Sequence, residues 1–191
     1  MKGVFTIKRL IKPLCSLLLT ICFIQFTCYG DEIPMDLIQL HDSWGSEYKD
    51  YVFEKSLQNG VDPYIVFGII YNESRYQEDA THLNANGTTD YGLMQINEVN
   101  FEYLHNTIGI ESMDELLDPY KNIDSGIELL RYHTDLANDS QIGLIGFQSG
   151  AGTMAKLVNS GIYETDVQQQ VLEYASEYRK TYIENSSVYP A

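Results

Sequence analysis

The chain has 191 residues, 27 of them acidic against 12 basic, for a formal net charge of −15. That length suits one domain with a sizeable core and leaves little room for two. The acidic surplus argues against nucleic acid as a partner, because phosphate binding needs clustered Lys and Arg.

The first thirty residues differ from the rest. Lys2, Lys8, Arg9 and Lys12 make a basic start, and LCSLLLTICFIQF, Leu14 to Phe26, is an apolar run of 13 residues. A bilayer span takes about 20, so residues 1–30 read as a signal peptide, with Cys28 and Gly30 as the small residues before the cleavage point. The alternative is an uncleaved membrane anchor. Lipid attachment at Cys28 is a weak reading, since Gln25, Phe26 and Thr27 precede it. Cleavage after Gly30 leaves residues 31–191, 161 in all, and removes Cys15, Cys22 and Cys28. Eight basic residues then stand against all 27 acidic ones, a net charge of −19. Such a domain has no disulfide and holds together by core packing alone.

Helix signals dominate the chain after Gly30. Residues 31–60 form an N-terminal helical extension, in which EYKDYVFEKSLQNG is an amphipathic helix ended by Gly60. VDPYIVFGIIYNES restarts with Asp62 as N-cap and Pro63 at the first helical position. Ile65, Val66, Phe67, Ile69 and Ile70 make it apolar on all sides, which predicts a buried central helix. RYQEDATHLNANGTTD carries Asn-Gly and Thr-Thr-Asp turn signals and predicts turns or a small hairpin. NIDSGIELLRYHTDLAND spaces Ile123, Ile127, Leu130 and Leu136 as a helix with Asn122 as its cap. DVQQQVLEYASEYRKTYIEN closes the main domain, 61–185, and residues 186–191 are expected to fray. The expected fold is therefore mainly α, with at most a small β-hairpin.

Glu73 falls at the end of the most apolar helix, four residues after Ile69 and three after Ile70. A carboxyl group pressed against apolar side chains resists ionisation and keeps its proton to higher pH, which is what a general acid needs. The plainer alternative is a helix-end carboxylate pointing into water. Metal chemistry has no such support: His41, His82, His105 and His133 are scattered without ligand spacing, so each reads as a surface or packing residue. No metal and no cofactor is expected. The 15 tyrosines read mostly as core and surface residues.

NESRY, then DYGLMQIN, NIDSGIELL and GFQSGAG occur in this order. Together they resemble the soluble lytic transglycosylase (SLT) domain of the lysozyme-like superfamily, whose motifs read E-S, G-L-M-Q-I, N-I-x-x-G-x-x-x-L and A-Y-N-x-G. The resemblance covers Tyr64 to Gly152. It implies a lysozyme-like helical fold with a substrate groove, with Glu73 as catalytic acid and Ser74 as its orienting neighbour. By the same resemblance Gly92, Leu93, Met94, Gln95 and Ile96 line the saccharide groove, with Gln95 hydrogen-bonding sugar and Gly92 letting the chain approach closely. The fourth motif departs from the family: Gly146, Phe147, Gln148, Ser149 and Gly150 stand where A-Y-N-x-G is expected. Phe147 keeps the ring without the hydroxyl, and Gln148 keeps an amide that can still contact sugar. The family's late tyrosine near the active site falls on Tyr174 or Tyr163, with no choice between them.

Asp90 lies 17 residues after Glu73, in a segment that also resembles c-type lysozymes and the conjugation-associated branch of the transglycosylases. Retaining glycosidases pair a protonated acid with a carboxylate about 5 Å away across the scissile bond, which makes Asp90 the second catalytic candidate. Its other reading is a turn aspartate bonded to its own backbone. The leader in residues 1–30 implies export to the cell envelope, and the resemblance implies a peptidoglycan lytic transglycosylase, expected to be a monomer. It would cleave the β-1,4 bond between N-acetylmuramic acid and N-acetylglucosamine, form 1,6-anhydro ends and act on glycan strands, in association with a secretion or conjugation apparatus. A muramidase that hydrolyses the same bond is the nearest alternative. A non-catalytic glycan-binding module is the alternative from another class.

Overall fold

The structure, a computed structural model, describes residues 34–186. The signal peptide expected in residues 1–30 and the last five residues lie outside the described ones. Helices α1 (Leu37–Ser43), α2 (Ser46–Gln58) and α3 (Pro63–Ser74) come first. An antiparallel sheet comes next, made of β1 (Thr81–Leu83), β2 (Thr89–Tyr91) and β3 (Ile96–Asn97) in that order. A 3₁₀ turn (Glu98–Asn100), α4 (Phe101–Ile108) and a second 3₁₀ turn (Met113–Leu117) lead to α5 (Pro119–Ala137), α6 (Ser140–Ser149), α7 (Ala151–Asn159) and α8 (Asp166–Ser186). The chain is mainly helical with one small sheet, as its patterning predicts. Among the described residues no helix is long and apolar enough to cross a membrane.

Helix α3 is the central helix expected from its composition. Asp62 caps it by accepting the Tyr64 N–H at 3.0 Å, and Pro63 fixes the first turn. Val66, Phe67, Ile69, Ile70 and Tyr71 are fully buried, each aliphatic one contributing about 1.5–3 kcal/mol over an exposed position. Gly68 lets α8 come close, since a Cβ there would lie 2.7 Å from the Val171 carbonyl. Arg75 and Tyr76 then adopt left-handed φ of 53° and 62°, which stops the helix directly after Glu73 and Ser74. The Arg75 guanidinium stabilises that stop by donating to the Tyr71 carbonyl at 2.7 Å and stacking 3.8 Å over the Tyr71 ring.

Much of the tyrosine excess packs in one aromatic cluster joining α1, α3 and α8. The His41 ring lies 4.8 Å from Phe67, 4.9 Å from Tyr178 and 5.6 Å from Tyr182. Tyr76 donates to the Tyr178 hydroxyl at 2.9 Å within it.

Two expectations for α5 need correction. The helix begins at Pro119 with Asp118 accepting the Lys121 N–H at 3.0 Å, so Asn122 is not its cap but a residue of its first turn, fully buried. Leu136 is 55 % exposed, because it lies in the last turn beyond the packed stripe of Ile123, Ile127 and Leu130.

Candidate active site

A cleft of about 410 Å³ runs between the end of α3, the sheet with its following turn, the second half of α5 and the end of α6. It collects residues from distant parts of the chain. Glu73 comes from α3, Asp90 from β2, Met94 and Gln95 from the turn after β2, Ile96 from the start of β3, and Phe147 and Gln148 from α6. Three other candidates are placed behind it. Leu93 is fully buried in the core, Ser74 donates its hydroxyl to the Ile70 carbonyl at 3.1 Å, and Gly92 packs on Asn122 and Leu116. Tyr174, buried against Tyr71, and Tyr163, 54 % exposed, are both absent from the cleft lining.

Glu73 is largely buried, and this is the main reason its carboxyl is held above the usual glutamate range. Asn72 opposes the shift by donating to Oε1 at 3.1 Å, and the Asp90 charge adds to it. The position at the last turn of α3 works the same way, since the negative end of a helix disfavours an anion. A glutamate whose pKa is raised and that faces a cleft holds its proton to higher pH and can act as a general acid.

Asp90 is held differently. Its two oxygens accept from Asn84 Nδ2 at 2.9 Å and Asn97 Nδ2 at 2.6 Å, so two amides from either side of β2 fix the carboxylate. It sits in a strand paired with His82 and Asn97. The loop between β1 and β2 is closed by other residues: Asn84 donates its N–H to the Thr88 carbonyl at 2.8 Å, and Asn86 Oδ1 accepts from the Thr88 N–H at 3.0 Å.

The Gly92–Ile96 turn is shaped by side chains rather than by sequence-local rules. Gly92 has φ +71°, and any Cβ there would run into Asn122 and the Leu116 carbonyl. Gln95 also takes a positive φ, 46°, and its Nε2 donates to the carbonyls of Gly92 at 2.8 Å and Ala80 at 3.1 Å. That leaves Oε1 as the Gln95 atom suited to a ligand. Met94 is locked twice: its N–H donates to Asn122 Oδ1 at 2.8 Å, and its side chain fills the notch above Gly126.

His133, which no motif marks, lines the floor of the cleft beside Leu129. Its Nδ1 is 2.8 Å from the Leu129 carbonyl, and burial lowers its pKa. The only local signal for it is its place on the apolar stripe of α5, three residues after Leu130.

No curated protein matches the chain. Among solved structures, an inactive glutamate-to-glutamine mutant of lytic transglycosylase Slt from Pseudomonas aeruginosa superposes with a TM-score of 0.62 at 19% identity, covering 91% of this chain and 29% of that one. The 70-kDa soluble lytic transglycosylase in complex with bulgecin A gives 0.61 at 22% identity, covering 74% and 25%. The chain thus spans under a third of the length of either protein, and at these identities the likeness concerns the fold. Residues 50–165 match the family described as Transglycosylase SLT domain, so the chain belongs to that family.

Proposed function

We propose that the protein is a peptidoglycan lytic transglycosylase in which Glu73 is both acid and base. The observation that carries this reading is a carboxyl group raised by burial at the end of an apolar helix, facing a cleft. Protonated Glu73 donates to the oxygen linking N-acetylmuramic acid to N-acetylglucosamine, and that bond breaks as positive charge develops on the muramic C1. The resulting carboxylate then takes the proton of the sugar's own 6-hydroxyl, whose oxygen closes on C1 as a 1,6-anhydro ring. The bulgecin A complex of the 70-kDa enzyme and the inactive glutamate exchange in the Pseudomonas enzyme lend support by analogy. The leader read in residues 1–30 fits delivery to the cell envelope.

Asp90 favours a second reading, hydrolysis. A carboxylate braced by Asn84 and Asn97 on another wall of the cleft could hold a glycosyl intermediate until water enters. Mass analysis of fragments from digested sacculi separates the two. Transglycosylation yields anhydro ends lacking the mass of one water, and a digest made solely of reducing ends overturns it in favour of hydrolysis.

A further inference from the structure

We propose that His133 is a substrate-contacting residue of this cleft, its Nε2 accepting a hydrogen bond from the N–H of an N-acetyl group seated between α5 and α6. Such a contact rests on the glycan reading of the cleft and adds to it a residue and a ligand group. A carbonyl oxygen only accepts, so the 2.8 Å contact with Leu129 puts the ring proton on Nδ1. In the neutral ring Nε2 is then an acceptor, and burial favours the neutral form. No described residue bonds that nitrogen. Gln148, from α6, lines the same cleft, and its Nε2 and Oε1 are both buried without a partner.

Unpaired buried amides are rare in folded proteins, and one among the residues lining a cleft points to a ligand that satisfies it. Gly146 is what makes room for the histidine: a Cβ there would lie 2.6 Å from His133 Cδ2 and 2.7 Å from Met154 Sδ. Leu129 and Phe147 supply apolar lining from the same two helices, and the Ser149 hydroxyl beside them is already spent on the Ile145 carbonyl at 2.7 Å. One donor, acceptors beside it and an apolar wall match an acetamido group. Its carbonyl accepts from Gln148 Nε2, its N–H donates to His133 Nε2, and its methyl rests on Leu129 and Phe147. A plain hydroxyl offers no methyl for that wall.

The test uses the full chain carrying Glu73→Gln, which binds without cutting, titrated calorimetrically with tetra-N-acetylchitotetraose. Adding His133→Phe, which keeps a ring and removes the acceptor, is expected to weaken binding about ten-fold, with a melting temperature within about 2 °C. His133→Gln places an amide oxygen near the lost nitrogen and is expected to return affinity to within about three-fold. Unchanged affinity in His133→Phe overturns the proposal, as does an equal loss in both variants that tracks melting temperature. Should the Phe variant not fold, the 15N resonance of His133 Nε2 in the Glu73→Gln chain decides: a shift on adding sugar supports the contact, and no shift overturns it. Wild-type digestion of sacculi runs in parallel. Cleavage of the wall with no His133 effect removes this inference alone, whereas absence of both cleavage and sugar binding removes the glycan reading with it.

Discussion

Asn122 accepts the backbone N–H of Met94 at 2.8 Å, tying the first turn of α5 to the turn that forms the middle of the cleft. The same side chain donates to the carbonyls of Tyr91 at 2.8 Å and Leu116 at 2.7 Å. One fully buried amide therefore bonds three backbone groups from three separate segments. Each would cost about 1–3 kcal/mol if left unpaired.

Asn122→Ala is accordingly expected to lower stability by about 3 kcal/mol and to reduce wall-degrading activity with it. Urea unfolding measures the first and turbidity loss the second. Gly92→Ala should cost a similar amount, about 3 kcal/mol, from a disfavoured φ and a Cβ forced against Asn122. Because the two changes share one contact, the double variant should lose less than their sum. Strict additivity would mean that Asn122 and Gly92 do not form one lock.

Glu73→Gln should fold and lose about 10² to 10⁴-fold in rate. Its stability should change with pH in a defined sense. The folded-state pKa is raised, so the contribution of Glu73 to stability is fully present below its unfolded value, about 4.3, and is lost as pH rises through the folded value. Glutamine has no such loss. Melting temperatures of the two proteins should agree in acid and diverge in favour of Glu73→Gln as pH rises, and a constant difference across the range would contradict the raised pKa.

Asp90→Asn removes a charge that helps keep Glu73 protonated. The alkaline limb of the pH–rate profile should therefore move to lower pH, because Glu73 would give up its proton sooner. Loss of charge stabilisation at the sugar should lower the maximal rate as well, by about 10²-fold. An unmoved limb together with an unchanged rate would remove Asp90 from the chemistry.

Gly146→Ala places a methyl 2.6 Å from the His133 ring and 2.7 Å from the Met154 sulfur. Overpacking of this kind costs about 1–3 kcal/mol. Thermal unfolding should register that loss, and a neutral result would mean that α5 and α6 part easily at this point.

The helices that bury a stripe are legible because their patterns are local: Asp62-Pro63 opens α3 and five apolar residues fill it. The same signature, Asp118-Pro119, opens α5, and taking Asn122 as the cap passes over it. Polarity is the cause, since an asparagine beside an apolar run looks like a cap until its three partners, up to 31 residues away, are known. The motifs mark out Glu73, Asp90, Met94 and Gln95, all on the cleft. They cannot show that Gln95 uses its Nε2 internally, or that His133 faces the cleft because Gly146 lacks a side chain. Both facts depend on pairs that meet only in the folded chain.

The two carboxylates stand on foundations of unequal firmness. Glu73 rides on a helix whose core residues are fully buried, while Asp90 rides on a sheet whose first strand is exposed at all three positions. Amide protons of α3 should exchange with solvent only on global unfolding, and those of β1 and β2 through local opening at far lower cost. Breathing of the sheet would swing Asp90 and its two bracing asparagines away while the acid stays in register. On the glycan reading, opening of this thin wall would admit a polymer strand at no expense to the core that raises the pKa of Glu73.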